Sequence, residues 1–152
     1  MPLVLPSQTP CSFCENFQGR NPWHGAPAVI FEDELIYVFL APAALGGMEG
    51  HTLVTTKLHQ ATILDLTREQ ESTLGQVVAR TARMIDSAVD PDGILVQQHN
   101  GESAFQTVPH IHFHVIPMRE GATFPPADVV DITPADERAV LATRLREHWD
   151  RV

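Results

Sequence analysis

Apolar residues recur along the chain with two periods. Ala28-Val29-Ile30-Phe31 and Leu35-Ile36-Tyr37-Val38-Phe39 are β-branched and aromatic runs, and Glu32-Asp33-Glu34 between them reads as a hairpin turn. Residues 41–50 are small and glycine-rich, hence a connection, and His51-Thr52-Leu53-Val54-Thr55 reads as a third strand. The period then changes. Leu74, Val77, Val78, Thr81 and Ile85 share one helical face, and Thr67-Arg68-Glu69-Gln70 ahead of them fits a capping box, so a helix is expected over about 67–88. Asp90-Pro91-Asp92-Gly93 stops it. Residues 94–98 are strand-like, 100–107 form a polar loop, and His110 to Ile116 alternates strictly, with Pro117 as its end. Residues 119–132 look irregular. Thr133 is the expected cap, with Pro134 in the first turn of a last helix whose face is Val140, Leu141, Leu145 and Trp149. Residues 1–10, with three prolines, read as a loose arm, and 11–27 as a turn-rich loop. The expected fold is α+β: a mainly antiparallel sheet of about five strands, with a central helix and a C-terminal helix packed on it.

Composition narrows the partners. The 152 residues fit one domain, and an apolar fraction of 43% with 19% charged residues excludes wholesale disorder. No run of about 18 apolar residues occurs, so no membrane span is expected. The start, MPLVLPSQTP, lacks a basic segment and an apolar run, so no secretory leader is read and a cytoplasmic location is expected. The formal charge is −9 and Lys57 is the sole lysine, which argues against duplex nucleic acid as a partner. A small anionic ligand stays compatible, because local donors can overcome the overall field.

Candidate chemistry concentrates in Pro109-His110-Ile111-His112-Phe113-His114-Val115-Ile116. Strand side chains alternate faces, so His110, His112 and His114 share one face while Ile111, Phe113 and Val115 face the core. Three aligned imidazoles offer a nucleophile, a proton donor and a metal ligand. A histidine-rich solvated face and a three-histidine catalytic zinc site are the alternatives that spacing leaves open. Cys11-x-x-Cys14 places two thiols on one turn, for metal binding, redox work or two unlinked buried cysteines. No thioredoxin-like βαβ context surrounds them, which disfavours redox.

His110-Ile111-His112-Phe113-His114-Val115-Ile116 resembles the signature of the histidine triad (HIT) nucleotide-binding family. Gly50 to His59 resembles the family's upstream strand, Asn100 to Val108 its phosphate-binding loop, and Cys11-Ser12-Phe13-Cys14 the N-terminal knuckle of its zinc-containing bacterial members. The resemblance covers about residues 11–118 as a HIT domain and leaves 119–152 as an extension, expected to pack its helix on the same domain.

That resemblance implies a nucleotide hydrolase or nucleotidyl transferase acting at an α-phosphate, in a phosphoramidate or a dinucleoside polyphosphate. His112 would be the nucleophile, a nucleotidyl-histidine the intermediate and a nucleoside monophosphate the product. His114 would donate to a phosphoryl oxygen, His110 would orient His112 through its carbonyl, and His51 would support the site. Asn100, Gly101, Gln106 and Thr107, with His112 and His114, would contact a purine nucleotide. His114 stands where the uridylyltransferase branch has glutamine, which favours hydrolysis. His59 and His110 would join Cys11 and Cys14 as ligands of a structural zinc, and the protein would be a homodimer. Two departures touch the substrate: Ala41 replaces the aspartate that holds ribose hydroxyls, and Phe105 replaces a loop glycine. They support a rival reading, a nucleotide-binding regulatory module with little turnover. Phe13, Phe17 and Trp23 are candidates for stacking on a base or for core and dimer contacts, and no role is assigned to His24, His99 or His148.

Overall fold

The computed structural model describes residues 2–20, 28–45, 47–123 and 132–152. Trp23, His24 and the rest of the 21–27 loop lie outside the described residues, as does most of the irregular stretch before the last helix. Strands β1 (Val29–Glu32), β2 (Ile36–Leu40), β3 (Thr52–Thr56), β4 (Gly93–Gln98) and β5 (His112–Met118) form one sheet in the order β1-β2-β3-β5-β4. Every neighbouring pair is antiparallel, as the short strands and hairpin links predict.

Local chemistry explains the turns. Asp33 Oδ1 accepts from the amides of Leu35 and Ile36 at 2.8 and 2.7 Å, closing the β1–β2 hairpin. Helix α2 (Arg68–Val89) starts at Thr67 with the reciprocal capping box: the Thr67 hydroxyl accepts from the Gln70 amide, and Gln70 Oε1 accepts from the Thr67 amide. It ends at Asp90 in the left-handed region (φ +48°).

One sheet face carries Ile30, Ile36, Val38, Leu40, Val54, Ile111 and Val115, and buries them against α2 and helix α3 (Ala135–Trp149). From α2 come Leu74, Met84 and Ile85; the buried Thr81 satisfies its hydroxyl on the Val77 carbonyl. Trp149 stacks on Phe31 at 4.8 Å, the Arg80 guanidinium lies 4.4 Å from the Trp149 ring centre, and Arg80 donates to the Trp149 carbonyl. Three elements are thereby tied at one corner. Among the described residues no helix is long and apolar enough to cross a membrane.

Four details differ from the sequence expectation. A short helix, α1 (Ser12–Phe17), forms where a loop is expected, and its Phe13 is buried on the opposite sheet face with Tyr37, Phe39, Ala41 and Leu53. Strand β5 begins at His112, not His110, and runs through Pro117, which pairs with Ile94 of β4. The β3 ladder has ended at Thr52–Val115, so a residue without an amide hydrogen is tolerated there. Pro134 sits at the cap of α3 and no side chain caps it; the Thr133 carbonyl instead accepts from Arg138. Val140 is 73% exposed, because the buried face follows Leu141, Ala142, Leu145 and Trp149.

Truncating Leu145, fully buried in the main core, is expected to cost about 2–5 kcal/mol in urea unfolding, whereas Val140→Ala should stay within about 0.5 kcal/mol.

Candidate functional site

Strand β5 lies between β3 and β4, so its side chains stand on the most constrained part of the sheet. His112 faces Thr55 across the ladder, and His114 faces Leu53 on one side and Gln97 on the other. His110 precedes the strand and is fully buried. Its neighbour Ile111 is pinned through its amide to Gln60 at 2.7 Å and through its carbonyl to the Thr55 hydroxyl at 2.5 Å.

Each imidazole has at least one nitrogen committed. His112 Nδ1 donates to the His110 carbonyl at 2.7 Å, so the lone pair of the neutral ring lies on Nε2. His51 Nδ1 donates to the Ala43 carbonyl at 2.9 Å, and its Nε2 therefore accepts from His114 Nδ1, 2.9 Å away. His110 Nε2 donates to the Thr56 carbonyl at 2.7 Å, which leaves its Nδ1 lone pair free. Burial disfavours the cationic forms. It pushes His51 and His110 down to about 4, and it lowers His112 and, further, His114, beside which the other imidazoles add like charge. Phe13 packs on His112 and His110 at 5.0 and 5.6 Å, so it is a clamp rather than a free stacking surface.

Behind His112 the structure gathers Cys11, Cys14, His59 and His110, whose ligand atoms all lie within 4.8 Å of one another. Sγ to Nδ1 distances are 3.6 Å for Cys11–His110, 3.6 Å for Cys14–His110 and 3.5 Å for Cys14–His59. Tetrahedral zinc at ordinary Zn–S and Zn–N lengths has S···N edges of about 3.6 Å, so the donor set fits that ion. Without a cation, burial and the neighbouring Cys11 push the Cys14 thiol up to about 11; a bound divalent ion reverses this by favouring the thiolate. The His110 bond to Thr56 keeps Nδ1, the nitrogen that faces the two thiols, unprotonated.

The loop after β4 is self-braced. Gln106 Oε1 accepts from the Gly101 amide at 2.7 Å, and Gln106 Nε2 donates to the carbonyls of Ala61 and Val108 at 2.6 and 3.0 Å. Gln106 is therefore directed inward, with its amide committed to the loop. Asn100 Oδ1 accepts from the Ile63 amide and from Gln98, and Asn100 Nδ2 donates back to Gln98. Gly101, at φ +88°, lies close to the N-terminal arm: a Cβ there would meet the Val4 carbonyl at 3.1 Å, and Val4 accepts from the Glu102 amide at 2.8 Å. The arm is thus docked against this loop. Thr107 is exposed. Phe105 takes the left-handed conformation glycine would supply (φ +63°), at a cost of about 1–2 kcal/mol, and its ring is 81% exposed. Ala41 is buried among aromatics and offers only its backbone, whose amide donates to the His51 carbonyl at 2.9 Å.

His99 joins the site although the sequence assigns it no role. Gln97 lies opposite His114, so the next residue of that parity points toward the triad face, and the His99 ring stands 5.6 Å from His114 in an edge-to-face contact. The signal available in the sequence was parity from the end of β4, which needs the register to be known.

This arrangement supplies an unprotonated imidazole nitrogen on a rigid strand, further imidazoles beside it, and a four-ligand cluster behind it. Comparison with known proteins places it. The HIT domain family model matches residues 26–121. Protein hit of Bacillus subtilis is 35% identical over 107 residues, 70% of each chain, and an adenosine 5'-monophosphoramidase of Candida albicans is 28% identical with 97% of each chain covered. The crystal structure of a zinc-bound histidine triad family protein from Mycobacterium smegmatis superposes with a TM-score of 0.73 at 29% identity, covering 93% of this chain and 94% of that one. With the family model spanning most of the chain and the triad, the His51–His114 pair and the cysteine knuckle standing together in one fold, this protein belongs to the HIT family.

Proposed function

We propose that the protein is a HIT-type hydrolase that cleaves a nucleotide at its α-phosphate, a phosphoramidate or phosphoanhydride bond, through a nucleotidyl-histidine, and releases a nucleoside monophosphate. One observation carries this reading: the 2.7 Å bond from His112 Nδ1 to the His110 carbonyl, which leaves Nε2 as an oriented, unprotonated nucleophile. The likeness to the fungal adenosine 5'-monophosphoramidase supports the substrate class, a purine nucleotide.

In the proposed reaction His112 Nε2 attacks the α-phosphorus as the leaving group departs in line, and water then hydrolyses the N–P bond. His51 holds His114 through the imidazole pair, and a bound phosphate supplies the negative charge that draws a proton onto His114, so that its Nε2 donates to a phosphoryl oxygen. Thr107 and the backbone of the loop supply further donors, while Asn100, Gly101 and Gln106 keep that loop in shape beside the nucleotide. Cys11, Cys14, His59 and His110 would hold zinc as a structural ion; so joined, they would tie α1 to the segment entering β5 and fix the carbonyl that orients His112. A reducing, cytoplasmic location is consistent with these unpaired thiols. A homodimer is part of the same reading; β4 has a single neighbour among the described strands, which leaves an edge for a second copy. The buried Ala41 and the exposed Phe105 favour one rival, a nucleotide-binding module with little turnover.

Release of adenosine monophosphate from an adenosine phosphoramidate and from diadenosine tetraphosphate is expected in wild type and is expected to fall to background in His112→Ala. Equal turnover in both proteins would refute the nucleophile. Nucleotide binding without turnover from either substrate would favour the regulatory module.

Metal analysis should find zinc in wild type and in His112→Ala, and its loss from Cys14→Ser with a lowered unfolding midpoint. Abolition of activity by a chelator while the fold stays intact would instead indicate a catalytic ion.

Because burial lowers His51 to about 4 from an ordinary value near 6.5, the unfolded chain binds the extra proton first as pH falls. This contribution is fully favourable above about pH 6.5 and is lost toward pH 4, by about 3 kcal/mol. Urea unfolding of His51→Gln should therefore be less pH-dependent than that of wild type; parallel profiles would contradict the assignment.

A further inference from the structure

We infer that His99 is a catalytic residue of the proposed reaction: the imidazole that protonates the leaving group and later accepts the proton of the attacking water. The inference rests on the hydrolase reading above.

Geometry carries it. His99 follows the last residue of β4, and strand parity turns its ring toward the face that holds His112 and His114. The ring packs edge-to-face on His114 at 5.6 Å, while His114 packs on His112 at 4.8 Å, so the three imidazoles form one contiguous cluster. His99 Nδ1 donates to the Ala104 carbonyl at 2.6 Å, which fixes the ring and leaves Nε2 as its working atom.

The other imidazoles are poorly placed for this task. The His112 lone pair is needed for attack. His114 is tied through Nδ1 to His51, and its Nε2 is already assigned to a phosphoryl oxygen. His51 has both nitrogens committed, to Ala43 and to His114. His99 makes its carbonyl bond at the exposed rim, where the ring can exchange a proton with solvent.

The steps balance for a phosphoramidate with an amine leaving group. The lone pair of His112 Nε2 forms the N–P bond while the electron pair of the scissile P–N bond passes to the departing nitrogen. That nitrogen takes the proton from His99 Nε2 and leaves as a neutral amine. Water then attacks phosphorus and gives one proton back to His99 Nε2, and the His112–P electron pair returns to His112. Nothing is oxidised or reduced, and both rings end as they began.

The experiment compares leaving groups. kcat/KM, which reports formation of the nucleotidyl-histidine, is measured for wild type, His99→Asn and His99→Gln with two substrates. One is an adenosine phosphoramidate of an alkylamine, which cannot leave without a proton. The other is the p-nitrophenyl ester of adenosine monophosphate, whose leaving group departs as a stable anion. Both variants keep an amide able to bond the Ala104 carbonyl. We expect a loss of about 10²-fold with the alkylamine substrate and a loss at least about tenfold smaller with the ester. An equal loss on both substrates, no loss on the amine, or failure of both variants to fold would assign His99 to bracing the loop and overturn the inference. Wild type inactive on both substrates would refute the hydrolase reading itself, which separates the two failures.

Discussion

The hydrogen bond from His112 Nδ1 to the His110 carbonyl is the constraint around which the site is organised. One residue serves two purposes: the His110 side chain belongs to the Cys11–Cys14–His59 cluster, and its backbone oxygen sets the tautomer of His112. Anything that moves the cluster therefore moves the carbonyl that aims Nε2. The bond works because His110 is fully buried, so no water competes for the carbonyl, and because Thr55 and Gln60 hold the next peptide still.

The rest of the fold keeps that peptide in place. Alternation along residues 111–115 sends Ile111 and Val115 into the core under α2 and α3, and His112 and His114 to the opposite face. The apolar half anchors the strand, and the polar half inherits its rigidity. α1 then covers the second face with Phe13, which packs on both His110 and His112. Taking four imidazoles out of water is unfavourable for their charged forms, and the structure offsets this by giving every one of His51, His110, His112 and His114 a carbonyl or imidazole partner.

Local patterns with their own physical cause were legible in the chain. The Thr67–Gln70 box, the Asp33 turn and the alternation of His112 and His114 are decided by contacts within a few residues, and each stands where the pattern predicts it, whereas His110 lies ahead of the strand. The Cys11–Cys14 knuckle was legible as chemistry but not as a helix, because a six-residue segment has little intrinsic helicity and α1 depends on burying Phe13 and on its docking to the sheet. Val140 departs from the predicted face because a helical face drawn from sequence does not say which flank meets the sheet. Pro117 continues the strand, against the pattern, because the loss of β3 as a neighbour there is a property of the sheet.

Legible in the chain alone were the alternation that puts His112 and His114 on one side of a strand, two thiols one turn apart, and a strand-and-helix domain with family motifs spanning most of its length. Only the tertiary structure decided which nitrogen of each ring is free, that Gln106 braces the loop from within, that the N-terminal arm lies against Gly101, and that His99 faces the triad. The physical reason is range. Periodicity and capping are set by bonds between near neighbours in the chain. A tautomer, a ligand cluster or a meeting of rings is set by register between strands distant in sequence, and that register is chosen by the burial of the opposite face.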